Sequence, residues 1–366
     1  MINNNVKVSV IMPSLNVAAY ISECIDSALG QTLKEIEIIC VDAGSTDGTL
    51  EILEEYSRKD SRIKIIHSDV KSYGHQMNLG FNAAKGEYMA ILETDDYILP
   101  DMYETLYNLA EDNKLDLIKA DYEIFLGDAD SRTFTYMNSC RDEGQYGKVI
   151  NPKENVDVFN ARMNTWTGIY NMDFLRRNNI LHNETPGASY QDNGFWFQTF
   201  MFAERVMFVD KAFYKLRRDN PNSSVHSKGK VFCIFDEYAF IEEIMRADSK
   251  REQAFKEIFQ KKKFDNCLYH YSRVGAEFKM EFLARMSKEF GDARNAGELN
   301  PDKFFGSGFK VLTMIIDDYK KYHRLTTNKL YSKCFYLTSK AVSGIAYLKK
   351  NGVYATVRKT FQELKK

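Results

Sequence analysis

The sequence has no apolar stretch that approaches the roughly 20 residues needed to span a bilayer. Its first residues, Met1–Val6, are mostly polar and lead directly into a strand-like run, unlike a signal peptide. Without a leader or a spanning segment, the sequence predicts a cytoplasmic protein that is either soluble or peripheral to the inner face of the cell membrane.

Strong net charge and a cysteine framework are also missing. The 366 residues carry a formal net charge of −1, so nucleic acid is not an expected partner. No two cysteines form a C-x-x-C pair, which predicts free thiols in a reducing compartment and excludes a zinc site of that type. The six are Cys24, Cys40, Cys140, Cys233, Cys267 and Cys334.

Positive charge is concentrated near the carboxyl terminus. From Tyr319 to Lys366 there are twelve Lys/Arg residues and a single acid, Glu363. A helical segment that mixes lysines with Tyr, Leu and Ile favours contact with an anionic membrane surface. A solvated helical face and a contact in a homo-oligomer stay open as alternatives.

The first 120 residues alternate between strand-like and helical patterns. Within the helical patterns we expect Thr46 to be an N-cap and Pro100 to occupy the first position of a helix. Strand–helix alternation with continuous apolar strands predicts an α/β, Rossmann-like, mostly parallel sheet covered by helices. The strand-like runs are Val6–Met12, Ile36–Asp42, Ile63–His67, Tyr88–Leu92 and Leu115–Ala120.

Polar and acidic segments follow three of these strands. Ligands bind beyond the carboxyl ends of such strands, so we expect the segments to meet at one edge of the sheet. Carboxylates there suit Mg²⁺ or Mn²⁺, although an Asp before a helix is often only a cap. The segments are Pro13–Asn16, Asp42–Gly48 and Glu93–Asp96.

Taken together, the motifs between Val8 and Pro100 resemble the family 2 glycosyltransferases of the GT-A fold. The resemblance implies inverting transfer of a sugar from a nucleotide-diphosphate donor, usually with Mn²⁺ or Mg²⁺. It implies a glycan or lipid-linked acceptor, as in bacterial surface polysaccharide biosynthesis. The matching segments are Val8–Asn16, Ser27–Thr32, Val41–Thr49, Asn78–Gly80, Ala84–Tyr88 and Glu93–Tyr97.

The resemblance also assigns roles to individual residues. Asp95 falls at the metal-ligating acid, with Asp96 and a late histidine, His226, as further candidate ligands. UDP is favoured as the carrier by family habit. The residues expected to contact the nucleotide sugar are Pro13, Leu15, Asn16, Asp42, Gly44, His75, Asn78, Glu93, Thr94, Asp95, Arg217 and Arg218.

The chain departs from the family pattern at four positions. Glu93 replaces the first Asp of the metal motif, Ala43 replaces the second acid of an Asp pair, Leu15 replaces an aromatic residue, and Met77 replaces an Arg. These departures keep a catalytically silent binding or assembly subunit open as an alternative. A sugar nucleotidyltransferase is a further alternative, but Pro13–Asn16 lacks the glycine-rich basic loop typical of that class.

Inverting transfer needs a general base for the acceptor hydroxyl. Asp192, in the segment Tyr190–Trp196, stands where the family places an acid at the start of a helix, and the alternative is a helix cap. Trp166 and Trp196 are candidate acceptor contacts, with core packing as the alternative. We predict a transferase domain over 1–230, with a nucleotide half (1–115) and an acceptor half (116–230), followed by a helical region over 231–366.

Overall fold

The computed structural model describes residues 6–221 and 231–327. The strands are β1 (Val8–Ser14), β2 (Ile36–Asp42), β3 (Ile63–His67), β4 (Tyr88–Ile91), β5 (Tyr97–Ile98), β6 (Leu117–Leu126), β7 (Thr133–Met137), β8 (Gly168–Asn171) and β9 (Val206–Arg217). The helices are α1 (Ile21–Leu29), α2 (Thr49–Lys59), α3 (Tyr73–Ala83), α4 (Met102–Asn113), α5 (Met172–Arg177), α6 (Gln191–Phe202), α7 (Cys233–Arg246), α8 (Ser249–Arg273), α9 (Lys279–Asn295) and α10 (Gly308–Thr327).

The described chain forms two compact units. The first contains 6–221 and 236–251, and the second contains 231–235 and 252–327. Most of α7 therefore belongs to the first unit although it follows residue 230. The domain limits predicted from the sequence stay predictions.

The strands form one mixed sheet in the order β3-β2-β1-β4-β8-β6-β9-β5, with β7 paired to β6. The first four strands in that order are parallel, and β8 runs antiparallel to both β4 and β6. The predicted α/β, GT-A-like class is confirmed. The antiparallel part was not predicted, because β8 is short and its apolar residues have no distinctive period.

Buried apolar strands and amphipathic helices hold the first unit together. Every residue of β1 and β2 is buried, as expected for central strands covered on both faces. Helix α1 turns Ile21, Cys24 and Ile25 toward this core. The spacing of those residues follows the helical period, so the pattern predicted both the helix and its inner face.

Several local predictions were wrong. The N-cap of α2 is Gly48 (φ 97°) and not Thr46, because the Asp47 carboxylate binds the Thr49 N–H and tightens the turn. Pro100 precedes the cap of α4, whose first helical residue is Met102. The sequence predicts two short strands, Val206–Val209 and Ala212–Leu216, and the structure joins them in the single strand β9.

Gly168 lies where β8 and β6 approach most closely. A Cβ at this position would lie 2.0 Å from the backbone oxygen of Ile118. We expect Gly168→Ala to lower the free energy of unfolding by about 1–3 kcal/mol, the usual range for overpacking. Chemical denaturation measures this, with Gly291→Ala in α9 as the control because a Cβ there meets only a methyl group at 3.9 Å. Equal stability of the two variants would contradict the prediction.

Among the described residues, no helix combines the length and apolarity needed to cross a membrane. The basic tail falls mainly beyond residue 327, outside the described part of the chain. Its predicted membrane contact therefore stays a prediction.

Candidate active site

Hydrogen bonds join the carboxyl ends of the central strands. The Thr94 hydroxyl after β4 donates to the carbonyl of Pro13 at 3.0 Å. The Gln76 side-chain amide of α3 donates to the carbonyls of Ser14 (2.9 Å) and Val41 (2.7 Å). The three polar segments predicted from sequence therefore meet at one edge of the sheet.

The loops after β1 and β2 form the outer part of this edge. Leu15, Asn16 and Gly44 are exposed, and Asn16 accepts the Thr46 N–H at 2.9 Å. Asp42 is buried, and its carboxylate accepts the N–H groups of Gly44 (2.9 Å) and Ser45 (3.0 Å). Asp42 thus shapes the loop, and its predicted contact with the nucleotide sugar stays a prediction.

Asp96 is an anchor for β9. Its buried carboxylate accepts the Tyr214 hydroxyl and the Arg217 N–H, each at 2.7 Å. Burial, with the charge of Asp95, holds the pKa of Asp96 well above its ordinary value. These bonds engage both carboxylate oxygens, so the structure gives Asp96 a structural position and does not favour it as a metal ligand.

Asp95 is a partly exposed acid of the segment Glu93–Asp96, which we call the tetrapeptide. One carboxylate oxygen accepts the Asn220 side-chain amide at 2.8 Å. The other, Oδ1, accepts no hydrogen bond from residues 6–221 or 231–327. A single carboxylate with a free oxygen fits a Mg²⁺-type ion that completes its shell with water and substrate phosphates. In the described part of the chain, no cluster of three or more His, Cys, Asp or Glu residues is arranged to hold a metal.

Glu93 makes its side-chain contact with α3. Its carboxyl accepts the Tyr73 hydroxyl at 2.7 Å. Burial raises the pKa of Glu93 to about 8, with Tyr73 lowering it and the charges of Asp95 and Asp192 raising it. The longer side chain at this position therefore reaches the Tyr73 hydroxyl and is mostly protonated at neutral pH.

Asp192 lies in the first turn of α6, as predicted. Its Oδ1 accepts the Asn193 N–H at 3.0 Å. Burial raises the pKa of Asp192 to about 6, against a lowering by backbone hydrogen bonds. The carboxylate is therefore ionised at neutral pH and retains appreciable basicity. Its charge acts on Glu93 and Tyr73, which places it beside the tetrapeptide.

His75 and Asn78 contact another segment of the described chain. Both lie on α3 and bind the segment 182–187, which we call the strap. The Asn78 amide donates to the His182 carbonyl (2.9 Å) and to Glu184 (2.8 Å), and His75 Nδ1 pairs with Glu184 at 2.9 Å. These side chains join the two predicted halves, and their contact with a nucleotide sugar stays a prediction.

The two arginines at the end of β9 differ in their surroundings. The Arg217 guanidinium binds Glu23 (3.0 Å), Asp219 (3.4 Å) and the Asp95 carbonyl (3.1 Å), and only 7% of the side chain is exposed. It is committed to these groups, which disfavours the predicted phosphate contact. Arg218 is exposed at the same edge, so it is the arginine that a ligand could reach.

The two tryptophans also differ in their exposure to solvent. Trp166 is partly exposed and packs on Tyr214 with ring centroids 4.4 Å apart, beside the acidic edge. Trp196 is fully buried and stacks on Phe200 at 4.2 Å. The acceptor prediction is therefore wrong for Trp196, because no face of its ring reaches solvent. His226 lies outside the described residues.

Sequence reasoning missed several side chains of this site. Tyr73, Tyr214 and Asn220 each bind a member of the tetrapeptide. The cap of α3, Ser72, accepts the His75 N–H and was the signal that could have located Tyr73 on a helix. Tyr214 and Asn220 gave no local signal, since they reach the site only through the pairing of β9.

Comparisons with known proteins agree with this geometry. Residues 9–182 match the model for glycosyl transferase family 2. The uncharacterized glycosyltransferase EpsJ of Bacillus subtilis is 33% identical over 222 residues, which cover 59% of this chain and 62% of EpsJ. The matched region therefore spans less than two thirds of that relative.

Solved structures show the same fold. Staphylococcus aureus TarS 1–349 in complex with UDP-GlcNAc has a TM-score of 0.67 at 19% identity, covering 86% of this chain and 92% of that one. The mannosyltransferase PcManGT of Pyrobaculum calidifontis, in complex with GDP-Man and Mn²⁺, has a TM-score of 0.50 at 18% identity, covering 95% and 87%.

The mixed sheet and the acidic strand ends define the class of GT-A glycosyltransferases. Within that class, residues 9–182 match the model for family 2, and over this segment the chain is similar to that family.

Proposed function

We propose that the protein transfers a sugar from a nucleoside-diphosphate donor, with UDP favoured, to a glycan or a lipid-linked saccharide. The observation that carries this proposal is the pairing of two differently placed carboxylates at one edge. Asp95 is partly exposed, with one oxygen that accepts no hydrogen bond from the described residues, and Asp192 lies in the first turn of α6. The charges of both carboxylates act on Glu93. The first suits the donor diphosphate, and the second suits the acceptor hydroxyl.

The donor would lie across the loops after β1 and β2, with its diphosphate near Asp95. Exposed Leu15, Asn16 and Gly44 would line the nucleoside side, and Arg218 would face the phosphates. Asp95 would hold a divalent cation, Mn²⁺ or Mg²⁺, through its free oxygen. The chemistry such a cation supplies is neutralisation of charge on the departing diphosphate.

Asp192 would act as the general base of an inverting displacement. Its carboxylate takes the proton of the acceptor hydroxyl as that oxygen bonds to the anomeric carbon. The bond from this carbon to the diphosphate breaks on the opposite face, and its electron pair leaves with the diphosphate. A pKa of about 6 keeps the base ionised at neutral pH without making it a weak one. Trp166 would offer a ring face to a sugar.

A catalytically silent, donor-binding protein is the second candidate. Glu93 is bound to Tyr73 and neutral at pH 7, so the tetrapeptide offers fewer charged ligands than its acids suggest. Nucleotide binding without turnover would favour this candidate.

A panel of nucleotides separates the candidates. Thermal shift is measured with UDP, GDP, CDP and dTDP, each with and without Mn²⁺, followed by release of the nucleotide from the matching sugar donors. We expect UDP to raise the melting temperature by a few degrees only when Mn²⁺ is present, because a ligand at 100 times its Kd stabilises by about 2.7 kcal/mol. Failure of every nucleotide to shift the transition would overturn the proposal.

A further inference from the structure

Glu237 is a buried carboxyl that the proposed reaction does not use. It lies on α7, beyond the segment that matches the family, and is 1% exposed. One carboxyl oxygen, Oε2, accepts the Asn183 side-chain amide at 3.0 Å. The other, Oε1, has no hydrogen bond of normal geometry to the described residues. A buried carboxyl costs free energy, so its position calls for a reason.

The carboxyl of Glu237 lies against the first turn of α6. A Cβ added at Gly194 would come within 1.9 Å of Oε1. Gly194 is two residues after Asp192, so only a glycine lets the carboxyl approach the turn that carries the base. Burial raises the pKa of Glu237 to about 8, with the Asn183 bond lowering it and the charge of Asp192 raising it.

The same turn is also bound by the strap. The Gln191 side-chain amide donates to the carbonyls of Thr185 (3.1 Å) and Gly187 (3.0 Å). Asn183 belongs to the strap and binds Glu237. Gln191 therefore binds the strap directly, and Glu237, which lies against Gly194, binds the strap through Asn183.

We propose that Glu237 is a positioning residue, which holds the first turn of α6 against Asn183 and so sets the direction of the Asp192 carboxylate. The inference rests on the proposed role of Asp192 as base. It adds α7 to the structural support of the active site.

The test compares Glu237→Ala, Glu237→Gln and Glu237→Leu with Glu243→Ala, an exposed control on the same helix. The assay is UDP release from UDP-glucose, UDP-galactose and UDP-N-acetylglucosamine with Mn²⁺, corrected for the folded fraction. We expect Ala and Leu to lower kcat by about 10- to 100-fold, because a base displaced by about 1 Å can lose that much. The donor KM should change less than about twofold, because the substitution does not alter the contacts that bind the donor in its ground state. Gln, which keeps an oxygen for Asn183, should recover most of the rate.

A second-site variant gives a signature that a general loss of stability would not produce. Gly194→Ala should lower kcat in the wild-type background, and less so beside Glu237→Ala, because the 1.9 Å approach is then removed. Additive effects would overturn the inference, as would normal kcat in both Glu237→Ala and Glu237→Leu.

Hydrogen exchange tests, without relying on turnover, whether Glu237 holds the first turn of α6. Amides 191–195 should exchange at least about tenfold faster in Glu237→Leu than in Glu243→Ala. Unchanged exchange would overturn the inference even if the protein is an active transferase. Faster exchange would support the positioning role of Glu237 even if the Asp192→Asn variant turned over normally. That second result would reject only the proposed role of Asp192 as base.

Discussion

Replacing Asp192 by Asn is expected to lower kcat for sugar transfer by about 10²- to 10⁴-fold, the usual contribution of a general base. The amide keeps the size of the side chain and its acceptor oxygen for the Asn193 N–H, but it cannot take a proton. Donor binding, measured by the thermal shift with UDP and Mn²⁺, should stay unchanged. In the wild type, kcat should fall as the pH drops through about 6, since burial raises the pKa of Asp192 to that value.

The same substitution is expected to stabilise the protein at neutral pH. The folded-state pKa of about 6 lies above the ordinary 3.8, so burial penalises the ionised form. Below a pH of 3.8, Asp192 is protonated in both the folded and the unfolded chain. Above a pH of about 6, the carboxylate is ionised in both, and the folded state is destabilised by the buried charge. Asn removes that cost, which is about 1–3 kcal/mol at roughly 1.4 kcal/mol per pKa unit.

Denaturation curves at several pH values measure this effect. The gain in stability of Asp192→Asn over wild type should appear between about pH 4 and pH 6 and then level off. Asp130→Asn, at an exposed carboxylate, is the control and should show no such rise. Wild-type kcat in the Asn variant would remove Asp192 from the catalytic site.

Asp95→Asn is expected to abolish the Mn²⁺-dependent part of nucleotide binding and to lower transfer by at least about 100-fold. The amide oxygen can still accept from Asn220, so the loop after β9 keeps its bond, while the negative charge for the cation is lost. Titration of UDP with and without Mn²⁺, followed by the transfer assay, measures both effects.

Glu93→Gln is the matched control within the same tetrapeptide. Because the Glu93 carboxyl has a pKa of about 8 and accepts the Tyr73 hydroxyl, a neutral amide should keep the Mn²⁺-dependent shift at pH 7. If Glu93→Gln lost the shift and Asp95→Asn kept it, the assignment of the metal ligand would have to move to Glu93.

The sequence predicted the parts of the site that follow from strand ends. Val8–Ser14, Ile36–Asp42 and Tyr88–Ile91 are continuous apolar runs, and their polar ends meet because parallel strands finish at a common edge. Asp192 was found at the start of a helix because an acidic, turn-forming segment precedes the aromatic pattern of α6.

The remaining parts depend on contacts between distant segments. The bond from Asn78 to Glu184 spans 106 residues, and that from Tyr214 to Asp96 spans 118. No local period carries such information. The burial of Arg217 and Trp196 could not be predicted for the same reason. Both residue types are suited to ligand binding, but each side chain is enclosed by residues from distant parts of the chain.

The strap has a consequence for the construction of hybrid enzymes. Residues 72–78, the cap and the first turns of α3, bind residues 182–187 through side chains on both partners. The Ser72 hydroxyl, for example, donates to the Thr185 carbonyl at 2.8 Å. A chimera joined near residue 115 would pair an α3 from one parent with a strap from another. To exchange acceptor preference between relatives, α3 and the strap should therefore be transferred together. Their contacting side chains then come from the same parent.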